Sequence, residues 1–260
     1  MWNTLIIEPF TNTLLWIYDI IGNNFGLAII LFTILIRALT YPLTASQMKQ
    51  TAAMQEMQKS KQWQEMQKKY KDDKERLAQE QMKLYKELGV NPFGSCLPTL
   101  IQFPIIIGLY QSIIRAMAST PLQMLDLTRV IYPFMNVSDI IPLNSKFLWM
   151  DLGAPESLTI FGLAIPFLAI IVAATTWVQS KLTMPPPATN NPGDPSAQMG
   201  QSMALMMPLM LGYFTYISPA GLGLYFLTGN LVGVIQYAMM GKVDWKNLLP
   251  KQAAQPAKKK

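Results

Sequence analysis

The sequence predicts an all-α polytopic membrane protein, and three observations lead to this prediction. Hydrophobic residues make up 51% of the 260-residue chain and charged residues only 14%, whereas an ordinary soluble domain is about 25% charged. Several apolar runs are long enough to cross a bilayer as helices. The basic residues are concentrated in some of the segments between these runs and nearly absent from others, which is typical of multi-span proteins.

Five apolar segments are the predicted membrane spans. The first runs from Phe25 to Leu43 and contains one charge, Arg37. The second and third, Leu97 to Ile114 and Leu158 to Val178, contain no acidic or basic residue. The stretch from Met203 to Met240 has room for two short crossings, because about 20 residues cross a bilayer, and a Ser-Pro-Ala-Gly sequence divides it near the middle. The predicted spans are therefore 23–45, 97–116, 157–180, 202–217 and 219–240.

Residues 1–22 are predicted to form an amphipathic helix that lies in the membrane interface. Phe10, Leu14, Ile17 and Ile21 recur at helical spacing, with polar residues between them. No basic residue precedes the apolar stretch, so a cleaved signal peptide is not expected. A simple extension of the first span is the alternative interpretation.

The distribution of Lys and Arg predicts the orientation. Residues 46–96 contain ten basic residues, whereas residues 116–156 contain only Arg129 and Lys146. Because basic segments stay in the cytoplasm, we expect an extracytoplasmic N-terminus, an extracytoplasmic loop at 117–156, a cytoplasmic loop at 181–201 and a basic cytoplasmic tail at 241–260. The predicted location is the plasma (inner) membrane, with several passes.

The cytoplasmic segment 46–90 is predicted to be a helical hairpin. It is rich in Gln, Lys, Met and Glu and has neither Gly nor Pro before residue 89. We place its turn at Lys71-Asp72-Asp73 and its coiled-coil seam at Met54, Met57, Met66, Leu77, Leu84 and Leu88. One solvated helix is the alternative.

Arg37 is the residue that fits least well into a membrane span. A charge at this depth costs on the order of 3 kcal/mol, yet the five predicted spans contain no Asp or Glu to pair with it. The guanidinium is therefore expected to face a hydrated, positively charged cavity. Thr33, Thr40 and Tyr41 share its helical face. Further candidates for the cavity lining, each of which an ordinary interhelical hydrogen bond would also explain, are Gln102, Gln111, Gln179, Thr228 and Asn230.

The composition excludes most enzyme chemistry. The chain has no His and a single cysteine, Cys96, so histidine-based catalysis, intrachain disulfides and thiolate metal clusters are excluded. A phosphate-binding P-loop motif does not occur either. We expect no enzymatic activity, catalytic residue, cofactor or metal. Packing explains the methionines of the fourth span better than copper transport does, since no Cys or His accompanies Met199, Met203, Met206, Met207 and Met210.

Four segments resemble the YidC/Oxa/Alb family of membrane protein insertases in its compact five-span form. They are IGNNFGLAIILFTILIRALTYPL, LYKELGVNPFGSCLPTLIQFPIIIGLYQSI, FLWMDLG and SPAGLGLYFLTGNLVGVIQ, and they occur in the order typical of the family. The resemblance implies five helices around a hydrophilic groove that is open to the cytoplasm and the lipid. Arg37 matches the groove arginine, which would attract acidic or polar residues of a client chain.

The resemblance also implies roles for residues near the client. Thr33 and Gln102 match groove positions, and Gln179 is a further candidate from its place in the third span. Ile106, Tyr225 and Phe226 match the apolar slide along which a client segment would leave for the lipid. The sequence has Phe226 where the family often has Trp, and the first hairpin arm lacks the family's usual proline, so that arm is expected to be straighter.

The partners implied are nascent membrane proteins, with the ribosome, a signal-recognition receptor or the Sec translocon as further partners beside the lipid bilayer. Ribosomal RNA is the one nucleic acid considered. The lysines of the tail fit the ribosome, lipid headgroups or simple topology determination equally well. Two rival functions remain at this point: a small-solute or ion conduit in which Arg37 is an anion site, and an interaction scaffold in which the hairpin is the functional part.

Overall fold

The computed structural model describes residues 1–70, 73–89, 97–118, 120–136, 140, 142–160, 162–183 and 195–241. The predictions for Cys96, for the turn at Lys71-Asp72, for loop residues 184–194 and for the tail beyond Gly241 lie outside the described residues, as do the side chains of Met199 and Met203.

The described chain is helical apart from two short β-hairpins. After a π-helical turn at Asn3–Ile7, the helices are α1 Glu8–Ile20, α2 Phe25–Leu39, α3 Tyr41–Lys59, α4 Lys61–Lys69, α5 Lys74–Glu87, α6 Leu97–Ala116, α7 Pro121–Val130, α8 Phe167–Thr183, α9 Pro195–Ile217 and α10 Ala220–Met239. The antiparallel strand pairs are β1 Lys146–Phe147 with β2 Met150–Asp151, and β3 Leu158–Ile160 with β4 Leu163–Ile165.

Helix α1 is separate from the first predicted span. Gly22 and Asn23 both have positive φ, which ends α1, and the Asn24 side chain then caps α2 by accepting a hydrogen bond from the Leu27 amide. Leu14 and Ile17, on the predicted apolar face, are buried against the core. The alternative of one continuous helix is therefore wrong.

The first apolar segment is bent rather than straight. Helix α2 ends at Leu39, and α3 starts at Tyr41 at an angle of 58° to it. Pro42 explains the break, because it lacks an amide hydrogen and its ring clashes with the carbonyl four residues earlier. The sequence predicted one helix over all of 23–45. Because α2 instead ends at Leu39, Arg37 lies in its last turn and is nearer a helix end than predicted.

The segment 46–90 contains packed helices and an unpredicted break. Ser60 interrupts the first arm and caps α4 by accepting a hydrogen bond from the Trp63 amide, so the arm contains a break although it has no proline. Of the predicted seam, Leu88 is largely exposed and Leu77 is buried. The cluster that joins the arms contains Met57, Trp63 and Leu84, with Met54, Met66 and Tyr85 packed around them. A single solvated helix is therefore excluded.

The third apolar segment begins as a β-hairpin. Leu158 pairs with Ile165 across a turn in which Gly162 has φ +80°, and helix α8 starts only at Phe167, after Pro166. The predicted helix over 158–166 is wrong, because a short apolar run fits a strand as well as a helix and the glycine and proline decide between them. The predicted loop at 181–201 is also shorter, since α9 begins at Pro195.

Helix α10 lies at the centre of the fold, against α2 on one side and α8 on the other. Its first amides are satisfied by the loop that follows β2: Ala220 donates to the Ala154 carbonyl (2.8 Å) and Gly221 to the Leu152 carbonyl (3.0 Å). Among the described residues, α10 alone is long and apolar enough to cross a membrane by itself, and the bent pair Phe25–Leu39 with Tyr41–Met54 qualifies jointly. Shorter apolar helices occur at Phe167–Leu182 and Leu205–Ile217.

Candidate functional site around Arg37

The Arg37 side chain lies against the backbone of α10 at a glycine. A Cβ atom built on Gly229 would be 2.8 Å from Arg37 Nη2 and 3.4 Å from Nε. Any larger residue at 229 would therefore occupy space that the guanidinium now uses. This contact places Arg37, the cation of the first apolar segment, against the backbone of the last apolar segment.

Arg37 has no ionic partner in the described part of the chain. The three ion pairs found there, Asp73–Arg76, Glu80–Lys83 and Asp126–Arg129, are all exposed and lie elsewhere. Arg37 Nε is buried and, among the described residues, has no hydrogen-bond acceptor. A half-buried guanidinium with an unused donor is costly to keep, so the site has binding capacity that the fold itself does not use.

Gln236 holds the backbone of Arg37. Its Nε2 donates to the Arg37 carbonyl at 3.1 Å, a group at the end of α2, where helical carbonyls lose their intrahelical partners. Gln236 follows Gly229 by seven residues, which places both on one face of α10. Gln236 Oε1 is buried and has no partner within the described structure.

A hydrogen bond brings α6 into the same cluster. Gln102 Nε2 donates to the Tyr225 hydroxyl at 2.6 Å, and Tyr225 precedes Gly229 by four residues, so both lie on one face of α10. Gln102 is half-buried and Tyr225 is buried. Polar groups from α2, α6 and α10 therefore meet at one place.

A second group of polar side chains joins α10 to α8. Asn230 Nδ2 donates to Thr175 Oγ1 (3.1 Å) and Thr176 Oγ1 (2.8 Å). The Gln179 amide lies against Gly233, where a built Cβ would be 2.6 Å from its Nε2. These contacts extend the polar cluster along one side of α10.

Other predicted groove residues lie differently. Thr33 is fully buried, and its hydroxyl donates to the Ile29 carbonyl at 2.6 Å, so this donor is already used by the backbone of its own helix. Gln111 lies two and a half turns beyond Gln102 on α6, where it accepts a hydrogen bond from the Trp2 indole (2.9 Å). The structure therefore does not place Gln111 in the Arg37 cluster.

The residues of the predicted apolar slide are mostly covered. Tyr225 is 2% exposed and Phe226 8% exposed, and both belong to the hydrophobic core. Ile106 is half-buried and packs on the same core. The exposed apolar side chains nearest to them in sequence on α6 are Phe103, at 55%, and Ile107, at 45%.

Sequence reasoning missed two contacts of Arg37 and one buried carboxylate. Gly229 and Gln236 carried a signal, since small and amide residues recur along this predominantly apolar helix, as is typical of helix–helix contacts in membranes. Glu156 carried none: it lies in a loop, yet it is buried, and it accepts hydrogen bonds from Trp149 Nε1 (2.9 Å) and the Leu168 amide (3.0 Å). Among the described residues, no three His, Cys, Asp or Glu side chains lie close enough together to hold a metal.

Comparison with known proteins identifies the family. The family profile described as "60Kd inner membrane protein" matches residues 16–247. The membrane protein insertase MisCA of Bacillus subtilis is 35% identical over 257 residues, which is 97% of this chain and 84% of the relative. The membrane protein insertases YidC of Oceanobacillus iheyensis and Clostridium tetani are each 34% identical, over 93% and 96% of this chain and 84% and 98% of theirs.

A solved structure supports the same assignment. The fold is similar to the crystal structure titled "Active YidC insertase crystal structure with the first transmembrane domain resolved", with a TM-score of 0.56 and 26% identity. The similarity covers 91% of this chain and 47% of the solved chain, so this chain spans about half of that protein. The chain belongs to the YidC/Oxa family of membrane protein insertases, non-enzymatic polytopic proteins of the cell membrane whose clients are nascent membrane proteins.

Proposed function

We propose that the Arg37 cluster is the site at which this insertase receives the polar segment of a client. The observation that carries the proposal is the half-buried guanidinium with a buried, unused Nε donor and, within the described chain, no carboxylate partner. An acidic side chain of a client supplies what the guanidinium lacks. Charge-assisted hydrogen bonds of this kind are roughly twice as strong as neutral ones.

The neighbouring amides and hydroxyls supply the rest of a polar path. Gln102 of α6 donates to the Tyr225 hydroxyl of α10. Asn230 of α10 donates to a threonine of α8, and Gln179 of α8 lies against α10. A polar segment that leaves water loses hydrogen bonds, and each loss costs free energy unless protein or retained water replaces it. We propose that these groups, with water, replace part of that hydration and so lower the barrier for the client's polar segment.

The apolar segment of the client leaves along the exposed face of α6 in this proposal. Phe103 and Ile107 are exposed on the helix that also carries Gln102, with Ile106 between them. Tyr225 and Phe226 are covered, so they act as the wall behind the path rather than as its surface. Transfer of an apolar helix into lipid is itself favourable, at about 0.8 kcal/mol per buried CH₂ group, so no fuel is required at this step.

The proposed arrangement in the membrane follows the charge distribution. We place five spans at α2, α6, α8, α9 and α10, with the N-terminus outside and the basic hairpin and tail in the cytoplasm, near ribosome and lipid headgroups. Ten basic residues between positions 46 and 96 support this orientation.

The proposal is tested by insertion into liposomes that contain the purified protein. Wild type and Arg37→Ala are compared for two single-span clients that differ only in an acidic or a neutral N-terminal segment. We expect Arg37→Ala to lower insertion of the acidic client about tenfold, the equivalent of one charge-assisted hydrogen bond, and to leave the neutral client unchanged. Lys146→Ala removes an exposed cation outside the cluster and is the matched control.

Two results would contradict charge-based recruitment. Equal loss for both clients would mean that Arg37 serves only to hydrate the site. Unchanged insertion of both clients would remove the cluster from the mechanism and favour a scaffold role for the hairpin, which a deletion of residues 50–85 would then test.

A further inference from the structure

A cleft lies between the N-terminal segment, the end of α6 and α7, apart from the Arg37 cluster. Its volume is about 430 Å³. The walls combine one cation, one carboxylate and several amides with apolar side chains, among them Trp2, Asn3, Gln111, Ile114, Arg115 and Asp126. None of these residues belongs to the Arg37 cluster.

Hydrogen bonds build the walls of this cleft. Trp2 Nε1 donates to Gln111 Oε1 at 2.9 Å, and Ser112 Oγ donates to the Ile7 carbonyl at 3.2 Å. Both bonds tie the first residues of the chain to α6, more than 100 positions away. The cleft is therefore a constructed feature of the fold and not a gap beside a loose terminus.

The two charges of the cleft are available to a ligand. Arg115 takes part in none of the ion pairs found within the described chain. Asp126 is exposed, and its contact with Arg129, at 3.8 Å, is near the limit for an ion pair. A guanidinium on α6 and a carboxylate on α7 in one cleft match a ligand that carries both an anionic and a cationic group.

The residues around the cleft fit a lipid as its ligand better than a soluble zwitterion. Arg115 lies at the end of the apolar helix α6, next to Ile114, which is largely exposed. Leu122 and Leu125 of α7 are also exposed. Trp2 is half-exposed, and tryptophan is enriched at the level of lipid headgroups. Acyl chains would find apolar side chains directly beside the charged groups.

We propose that this cleft binds the headgroup of an aminophospholipid such as phosphatidylethanolamine. Arg115 holds the phosphodiester through its guanidinium, and Asp126 accepts hydrogen bonds from the primary ammonium group. The proposal rests on the placement of α6 across the bilayer given above, with Arg115 at the extracytoplasmic interface. It makes the N-terminal segment and α7 a lipid-binding unit separate from the client site.

The test is lipid retention by the full chain, purified in detergent and analysed by native mass spectrometry. Phosphatidylethanolamine, phosphatidylcholine and phosphatidylglycerol with identical acyl chains are added in turn. We expect retention of phosphatidylethanolamine to exceed that of phosphatidylcholine about tenfold, because the quaternary ammonium of choline cannot donate hydrogen bonds to a carboxylate. Arg115→Gln should lower retention of every phospholipid, and Asp126→Asn should reduce phosphatidylethanolamine to the level of phosphatidylcholine.

Control variants separate the headgroup contacts from folding and from the client site. Asp126→Glu keeps the charge and should keep the preference, Lys146→Gln should change nothing, and Arg37→Ala should retain lipid like wild type while failing in acidic-client insertion. Equal retention of phosphatidylglycerol and phosphatidylethanolamine, or retention that Arg115→Gln does not change, would overturn the proposal. Because insertion is measured separately, failure here leaves the proposed client site untouched.

Discussion

Glu156 and Arg37 are charged groups in the interior of the same fold, and the structure treats them in opposite ways. Glu156, in the loop between β2 and β3, is buried, and each of its carboxylate oxygens accepts one hydrogen bond, from the Trp149 indole and from the Leu168 amide. The Leu168 amide belongs to the first turn of α8, where free amides and the helix dipole favour a negative charge. Arg37 has an unused buried donor and, in the part of the chain that the structure describes, no ionic partner.

The comparison separates a structural charge from a functional one. Both carboxylate oxygens of Glu156 accept hydrogen bonds from groups of the fold, so the fold itself uses this charge. The Arg37 carbonyl accepts a hydrogen bond from Gln236 and its guanidinium lies against Gly229, while its Nε donor has no acceptor among the described residues. A satisfied buried charge stabilises the fold, and an unsatisfied one is a candidate binding group.

The largest expected effect is on stability, at Glu156. Glu156→Ala removes both acceptors and leaves the buried Leu168 amide unpaired, so the free energy of unfolding should fall by about 3 kcal/mol. The measurement is detergent-induced unfolding in micelles, with Asp151→Asn, an exposed carboxylate in the same region, as the control. Unchanged stability together with poor insertion of acidic clients would place Glu156 in the functional class instead.

The next effect is on function, at Gly229. In Gly229→Ala the new methyl group would occupy space 2.8 Å from Arg37 Nη2, and the flexible guanidinium must move away. Insertion of an acidic client should fall about fivefold, equivalent to about 1 kcal/mol of lost hydrogen bonding, while the free energy of unfolding stays level or rises, because alanine favours a helix over glycine.

Gly223→Ala on the same helix is the matched control for this variant, since its methyl group would displace the Leu168 and Thr215 side chains and not the guanidinium. If both glycine variants impair insertion equally, the position of Arg37 is not what matters. If Gly229→Ala instead unfolds the protein, Gly229 belongs with Glu156 as a structural requirement.

The smallest effect is expected at Gln236. Gln236→Leu removes the hydrogen bond to the Arg37 carbonyl and also a buried Oε1 that has no partner among the described residues, so the two contributions to stability offset each other. Insertion of the acidic client should fall only about twofold, because the end of α2 that carries Arg37 loses one hydrogen bond and becomes slightly more mobile. Faster amide hydrogen exchange at residues 37–41 checks the cause. A loss as large as that of Arg37→Ala would show that Gln236 binds the client itself.

The sequence predicted the helices better than their ends. Long apolar runs identified α2, α6, α8, α9 and α10, because a lipid-facing or core helix needs continuous apolar residues. The strands at 158–165 were missed, since Leu, Ile and Thr fit both structures and only Gly162 and Pro166 oppose a helix. Ser60 was missed for a related reason: a serine inside a polar helix looks ordinary until its hydroxyl is seen to cap the next turn.

For the candidate site too, the sequence identified some residues and missed others. Arg37 was found from the sequence, because one charge in an apolar run without a carboxylate is visible without coordinates. The burial of Tyr225 and Phe226 and the contacts of Gly229 and Gln236 depend on how α10 meets α2 and α6, which no local pattern specifies. The environment of Glu156 depends on a loop folding back on the Leu168 amide, twelve residues later in the chain, and this too needed the structure.

The unused Arg37 donor has a kinetic consequence for the proposed mechanism. A client carboxylate that reaches the guanidinium meets no resident anion from the described chain, so arrival involves no exchange of one ion pair for another. For the same reason, no carboxylate of the described chain competes with the bound client for Arg37. Turnover is then set by the client's own partition into lipid, and clients with longer apolar segments should leave the site sooner than clients with shorter ones.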